Sequence, residues 1–372
     1  TTLGADNGLG VASIMSILTS KDIEHPSIEA LFTIDEETGM TGAKHLDPNI
    51  LDGEILLNLD TEEDDEIGIG CAGGVDITAT RFYIEESIPE NTTSFQVIVK
   101  GLQGGHSGMD IIKGLANANK VLNRILFNAH HNFNMRLSSF VGGGLRNAIP
   151  RESKADFVVS NDDVEAFLKS HQDLVDSIYT EFESLEPNMK ISLEKTEKPK
   201  SVLSSDVQDM IIKSIYTAHN GVYRMSPDIE ELVETSNNIA KIHVEKGKIE
   251  INCLTRSSVE SGKWDLANSL ESAFDLAGCH VKFSGNYPGW TPNPKSDILK
   301  VVDKLYQKQF GNKANIAACH AGLECGILGS HYPKMDMVSF GPTIKGAHSP
   351  DERASISSTQ KFWAFLKDIL KN

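Results

Sequence analysis

Basic residues are in short supply. The 35 lysines and arginines face 52 aspartates and glutamates, a formal net charge of −17 over 372 residues, and no run of Lys and Arg builds a basic face. Nucleic acid and anionic membrane surfaces call for such a face, so both are excluded as partners. Long apolar runs are missing as well: no stretch approaches the roughly 18 residues a membrane-spanning helix requires. Cysteine is scarce, and Cys71, Cys253, Cys279, Cys319 and Cys325 are scattered without any C-x-x-C pair. That pattern argues against a disulfide framework or a thiolate zinc site and for a reducing, cytoplasmic setting. The sequence opens TTLGADNG with no initiator methionine, so the true start is expected further upstream and the lack of a signal peptide says little. What is present, 40% hydrophobic and 23% charged residues, is a globular balance with material for two cored domains; it excludes disorder, collagen and coiled coil.

The first 76 residues alternate between helix and strand signals. NGLGVASIMSILTS reads as a helix opening at Asp6. ALFTI (30–34) reads as a short strand ending in Asp35, Glu36 and Glu37, TGMTGAKHL as a turn and short helix, and EILLNLD (54–60) as a second strand ending in acid. Such repetition marks an α/β sheet, and ligands gather at the carboxyl ends of its strands. From about Val75 the texture becomes α+β, with strands in TSFQVIVKGL, KADFVVS, KIEINCLTRS and HVKFSGNY and helices over 111–129, 163–180, 204–218 and 264–277. YPGWTPNP reads as a crossing between domains. Beyond it, helix 297–310, the segment AACHAGLECGIL, strand DMVSF and helix 356–371 return to α/β texture. The expected organisation is a discontinuous catalytic domain, 1–76 with 292–372, and an inserted domain at 77–291. GGGLRNAIP before KADFVVS and VETSNNIAK before KIEINCLTR carry matching punctuation, a polar turn with Asn followed by a strand. The insert is therefore expected to consist of two similar halves.

Asp6, Glu36, Glu37 and Asp60 all fall at strand ends or helix starts, so several carboxylates are expected on one rim. Crowded like charges call for a cation, and hard oxygen ligands with an imidazole suit zinc or manganese. His348 in GPTIKGAHSPDERAS is the imidazole candidate. Taken singly, each signal has an ordinary explanation: acids favour helix N-termini, Asp caps turns, and an isolated histidine is more often structural. Their order and their place at strand ends make the case jointly.

GADNGLG, DEETGMTGA, NLDTEE, GGHSGMDI, LRNAIPRE, HAGLECG and GAHSP run, in this order, through nearly the whole chain. The series resembles the cocatalytic zinc aminoacylase and dipeptidase family, the M20 peptidases, and within it the members that cleave Xaa-His dipeptides. The resemblance implies a zinc-peptidase-like α/β catalytic domain, with a central mixed sheet flanked by helices, and an inserted α+β lid. It implies two divalent ions, zinc first, with manganese or cobalt as alternatives. Asp6 matches the ligand bridging both ions, Glu37 and His348 complete one site, Asp60 serves the other, and Glu36 matches the general acid/base. His106 matches a lid histidine that donates to the oxyanion, and Asn147 the asparagine that assists it. Arg256 is implied to face the substrate carboxylate. Gly322 is a candidate for backbone contacts and Glu324 for a free amino terminus.

The sequence departs from the family at its start. Members carry a His-x-Asp strand ahead of the Asp6 motif, and only five residues precede Asp6 here, so one ligand of the second ion is expected outside these residues. The expected activity is hydrolysis of small peptides, dipeptides above all. An N-acyl amino-acid deacylase of the same family and a non-catalytic binding derivative are the rivals, and monomer and homodimer are both left open.

Overall fold

Internal contacts divide the chain into two units: Thr1–Gly73, Ser226–Leu232 and Tyr287–Asn372 form one, Gly74–Met225 and Val233–Asn286 the other. The computed structural model describes residues 2–37 and 39–372. Against the single insert expected over 77–291, the short excursion Ser226–Leu232 groups with the first unit, where Ile229 packs on its core.

The first unit holds a four-stranded mixed sheet in the order Ile55–Asn58, Asp336–Ser339, Glu66–Cys71, Asn315–Cys319. The outer pairs run parallel and the central pair antiparallel. Helices Asp297–Phe310 and Ile356–Lys371 supply Val302, Leu305, Phe362, Phe365 and Leu366 to the core against Ile67, Ile69 and Val338. Their apolar residues recur every three to four positions, the helical period that makes one buried stripe. Their starts are those the sequence predicts, because Ser296 and Ser355 accept from the backbone N–H groups of Leu299 and Ser358.

One expected strand does not form: residues 30–34 carry no strand assignment. Ile34 instead accepts at its carbonyl from Gly42 N–H at 3.1 Å. An apolar run becomes a strand only where another strand pairs its N–H and C=O groups, and among the described residues none lies alongside this one.

The second unit is built on a nine-stranded sheet. Its order is Lys190–Lys195, Thr92–Lys100, Ser153–Ser160, Arg136–Gly143, Val233–Glu245, Lys248–Ser257, Gly73–Phe82 and His280–Tyr287, with Gly221–Met225 paired to Val233–Glu245. Read outward from the central pair, the halves repeat one plan. A helix (Ala118–Phe133 or Ser205–Thr217) leads into a hairpin, a second helix (Val164–Phe182 or Glu260–Asp275) leads to the outermost strand, and an earlier strand fills the gap.

Two local readings are corrected. VETSNNIAK is not a turn but part of the long strand Val233–Glu245; its asparagines are buried and bonded inside the unit rather than turning the chain. The helix expected over 111–129 starts only at Ala118. Gly114 adopts the left-handed conformation (φ 66°) after the short turn Ile111–Lys113, and Asn117 caps the new helix through Asn119 and Lys120 N–H.

Candidate metal centre

Asp6 sits at the start of helix Ala5–Thr19, with non-helical backbone at Asp6 and Asn7. Asn7 Oδ1 accepts from Gly10 N–H at 3.0 Å and so caps the regular part of the helix, which frees the Asp6 carboxylate from that task. Glu352, only 9% exposed, holds the loop in place: its oxygens accept from Gly4 N–H at 2.7 Å and Asp6 N–H at 3.0 Å. Those backbone donors hold the Glu352 carboxyl below its usual range.

Glu36 and Glu37 are placed by a turn, not by a strand. Asp35 has left-handed backbone (φ 62°), its carbonyl accepts from Gly39 N–H at 3.0 Å and Met40 N–H at 2.6 Å, and its carboxylate takes the Thr41 hydroxyl at 2.8 Å. Adjacent residues on an extended strand point to opposite faces; the turn removes that restriction. Asp60 follows strand Ile55–Asn58 at its carboxyl end.

Three of these side chains meet. The ligand atoms of Asp6, Glu37 and His348 lie within 4.8 Å of one another. His348 Nε2 stands 3.0 Å from Asp6 Oδ2 and 2.7 Å from Glu37 Oε1. Burial disfavours a charged His348, but the Glu37 and Asp6 carboxylates outweigh it and raise its pKa. Asp60 and Glu36 stand outside this triad, yet both feel it. Burial first, then Asp6, Glu36, Glu37 and Glu324, push Asp60 up to about 8. Burial, then Glu37, Glu324 and Asp6, push Glu36 up to about 7. Burial and Asp6 raise Glu37 against the opposing pull of His348.

Carboxylates this crowded retain protons near neutrality unless a cation compensates them. An oxygen-rich donor set with one imidazole fits zinc or manganese and does not fit a soft thiophilic ion. Asp6, Glu37 and His348 can hold one ion.

Glu324 opens helix Glu324–His331. Its Oε2 accepts from the Thr33 hydroxyl at 2.6 Å, while Oε1 is buried without a hydrogen-bond partner among the described residues. Gly322 is held bare by packing: a Cβ there would lie 2.9 Å from the Tyr287 ring. A separate cavity of about 770 Å³, lined by Ile55, Ile298, Val301, His331 and Tyr332, opens at the amino end of the same strands and shares none of these residues.

His106, Asn147 and Arg256 belong to the second unit. His106 Nδ1 accepts from Gly108 N–H at 3.2 Å and Met109 N–H at 3.1 Å. That leaves the ring proton on Nε2, so the half-buried imidazole presents a donor. Burial and the Arg256 charge lower its pKa, which favours the neutral ring. The exposed Asn147 accepts at its carbonyl from Ser107 N–H at 2.7 Å. Arg256 is 5% exposed in strand Lys248–Ser257, not a solvated edge charge, and its field reaches both His106 and Asp76.

Glu352 carries no distinguishing signal in the sequence, although it lies four residues after His348. An acid inside a charged stretch such as SPDER reads as solvated until its backbone partners, hundreds of positions away, are seen. Among the described residues no helix is long and apolar enough to cross a membrane.

A family description, peptidase family M20/M25/M40, matches residues 4–372. The chain is 41% identical over 371 residues to the cytosol non-specific dipeptidase of Escherichia coli (strain K12), covering 100% of this chain and 76% of that protein. The solved structure of aminoacylhistidine dipeptidase from Vibrio alginolyticus is 42% identical with a TM-score of 0.96, covering 100% of this chain and 76% of that one. Aminopeptidase PepT from Bacillus cereus, at 15% identity and a TM-score of 0.50, shares the fold.

Proposed function

The chain belongs to peptidase family M20/M25/M40, and from that premise we propose that it is a cytoplasmic, divalent-metal-dependent dipeptidase acting on dipeptides that include those with a C-terminal histidine. The observation that carries this reading is the triad Asp6, Glu37 and His348, with ligand atoms within 4.8 Å, beside the elevated Glu36 and Asp60. Asp6, Glu37 and His348 would hold one zinc ion, and Asp6 and Asp60 would contribute to a second. Bound there, such a pair supplies Lewis acidity at the scissile carbonyl and a water that is nucleophilic near neutral pH.

The remaining work falls to the chain. Glu36 accepts the water proton and delivers it to the leaving amine, a task suited to a carboxyl whose pKa lies near the working pH. His106 donates from Nε2 to the oxygen that becomes negative in the tetrahedral state, with Asn147 beside it. Arg256 neutralises the terminal carboxylate, which a guanidinium fork grips bidentately. Glu324 offers its unpartnered Oε1 to the substrate's ammonium, and Gly322 keeps the neighbouring backbone bare. A site with an anion waiting for a free amine favours dipeptides over N-acylated amino acids.

Chelation is expected to abolish hydrolysis of an Xaa-His dipeptide and added zinc to restore it, with the N-acetylated dipeptide cleaved far more slowly. Faster cleavage of the acetylated substrate would identify a deacylase instead. Glu352→Ala is expected to weaken metal affinity by about 10- to 100-fold, the usual cost of removing a residue that orients a ligand. Titration with a competing chelating dye measures this independently of turnover, and an unchanged affinity would remove Glu352 from the account of the site.

A further inference from the structure

The segment bearing His106 is short: Asp110 Oδ2 accepts from His106 N–H at 2.7 Å and Asp110 N–H donates to the His106 carbonyl at 3.0 Å, which close a tight turn. Among the described residues Gly105–His106 pairs only with Ala148–Ile149, as an antiparallel ladder with Gly105 opposite Ile149 and His106 opposite Ala148. So small a ladder is marginal on its own. The N–H groups of Gly108 and Met109 orient the ring within its own turn, but where that turn sits depends on the facing turn around Asn147, and two side chains hold that one.

Asn238, 1% exposed within strand Val233–Glu245, donates from Nδ2 to the Arg146 carbonyl at 3.1 Å and to the Ala148 carbonyl at 2.8 Å. Those carbonyls flank Asn147. Its Oδ1 accepts from Asn117 Nδ2 at 3.2 Å, so the carboxamide is satisfied at both ends and its orientation is set. Arg146 ties the same turn to two neighbouring strands. Nη1 donates to the carbonyls of Ile77 at 3.0 Å and Cys253 at 2.9 Å. Nη2 reaches Thr78 Oγ1 at 2.6 Å and Asn252 Oδ1 at 3.2 Å, and Nε faces Asp76 at 3.4 Å.

We infer that Asn238 and Arg146 are positioning residues for the reaction: they clamp the backbone around Asn147 and, through the ladder and the bond from Ser107 N–H to Asn147, set where His106 presents its donor. This rests on the reading of His106 as the oxyanion donor. Neither residue needs to touch substrate. A buried amide elsewhere gives the contrast. Gln208 accepts from Leu137 N–H at 2.6 Å and donates to the Met135 carbonyl at 2.7 Å, making no bond to this turn.

The test uses the metal-loaded, full-length protein and reads kcat, KM and thermal midpoint on one dipeptide. Asn238→Asp keeps the shape of the side chain but sets an oxygen against both carbonyls. It is expected to lower kcat by about 10- to 100-fold with KM within about twofold, since a displacement of about 1 Å at a catalytic group costs that order of rate. Gln208→Glu is expected to lose thermal stability and keep kcat. The double variant His106→Ala with Asn238→Asp is expected to be no slower than His106→Ala alone, because a positioning residue has nothing left to position. Should Asn238→Asp fail to fold, Arg146→Lys, which keeps the charge and loses the fork, carries the same expectation with a smaller, kcat-selective loss. Unchanged kcat in the folded clamp variants, or losses that multiply in the double variant, would overturn the clamp. If His106→Ala itself retains full kcat, the reading of His106 falls and the clamp with it; a slow His106→Ala beside fast clamp variants removes the clamp alone.

Discussion

Glu36→Gln lowers kcat by about 10²- to 10⁴-fold and leaves metal content at the wild-type level, the effect of losing a positioned acid/base. The substitution keeps the side chain's size and removes only its ability to accept and return a proton. Glu36 is not one of the three side chains whose ligand atoms converge, so the metal should stay. Glu37→Gln is the necessary partner experiment. Its Oε1 lies 2.7 Å from His348 Nε2, inside the triad, and an amide there is a weaker ligand than a carboxylate, so metal is lost along with rate. Metal analysis beside turnover separates the two variants, and equal metal loss in both would overturn the division of roles between these adjacent glutamates.

His106→Ala lowers kcat by about 10²- to 10³-fold with little change in KM, because the carbonyl oxygen gains charge only in the tetrahedral state. The backbone favours such a donor: N–H groups of Gly108 and Met109 occupy Nδ1 and leave Nε2 to donate. Arg256→Ala behaves differently, since the terminal carboxylate is charged before reaction begins. KM rises by roughly 10- to 100-fold, the loss of a strong hydrogen bond to a charged group, and the penalty shrinks for a substrate amidated at its C-terminus. Equal penalties on the dipeptide and its amide would show that Arg256 does not read the carboxylate.

Much of the framework was legible because it rests on local signals. Ser296 and Ser355 announce their helices, and the strands at 55–58, 92–100, 153–160 and 248–257 match, to within a residue or two, segments whose apolar texture marks them. The failures share a cause in long-range pairing. Residues 30–34 have the composition of a strand but no paired neighbour among the described residues, and VETSNNIAK has the composition of a turn but lies in a strand paired on both sides. Polar residues in such a strand are tolerated because each finds a partner: Asn237 donates to the His219 carbonyl and Asn238 to two carbonyls of the 146–148 turn.

Family and fold class were legible in the sequence alone, because the order of the motifs survives in one dimension. The sequence could not say that Glu352 holds the Asp6 loop by accepting from Gly4 and Asp6 N–H, nor that Arg256 is buried where its charge reaches His106. Those points appear only in the folded chain. A ligand type is a property of a residue, whereas a hydrogen bond between positions 346 apart, or the field of a buried charge, exists only once the chain has brought the partners together and excluded water from between them.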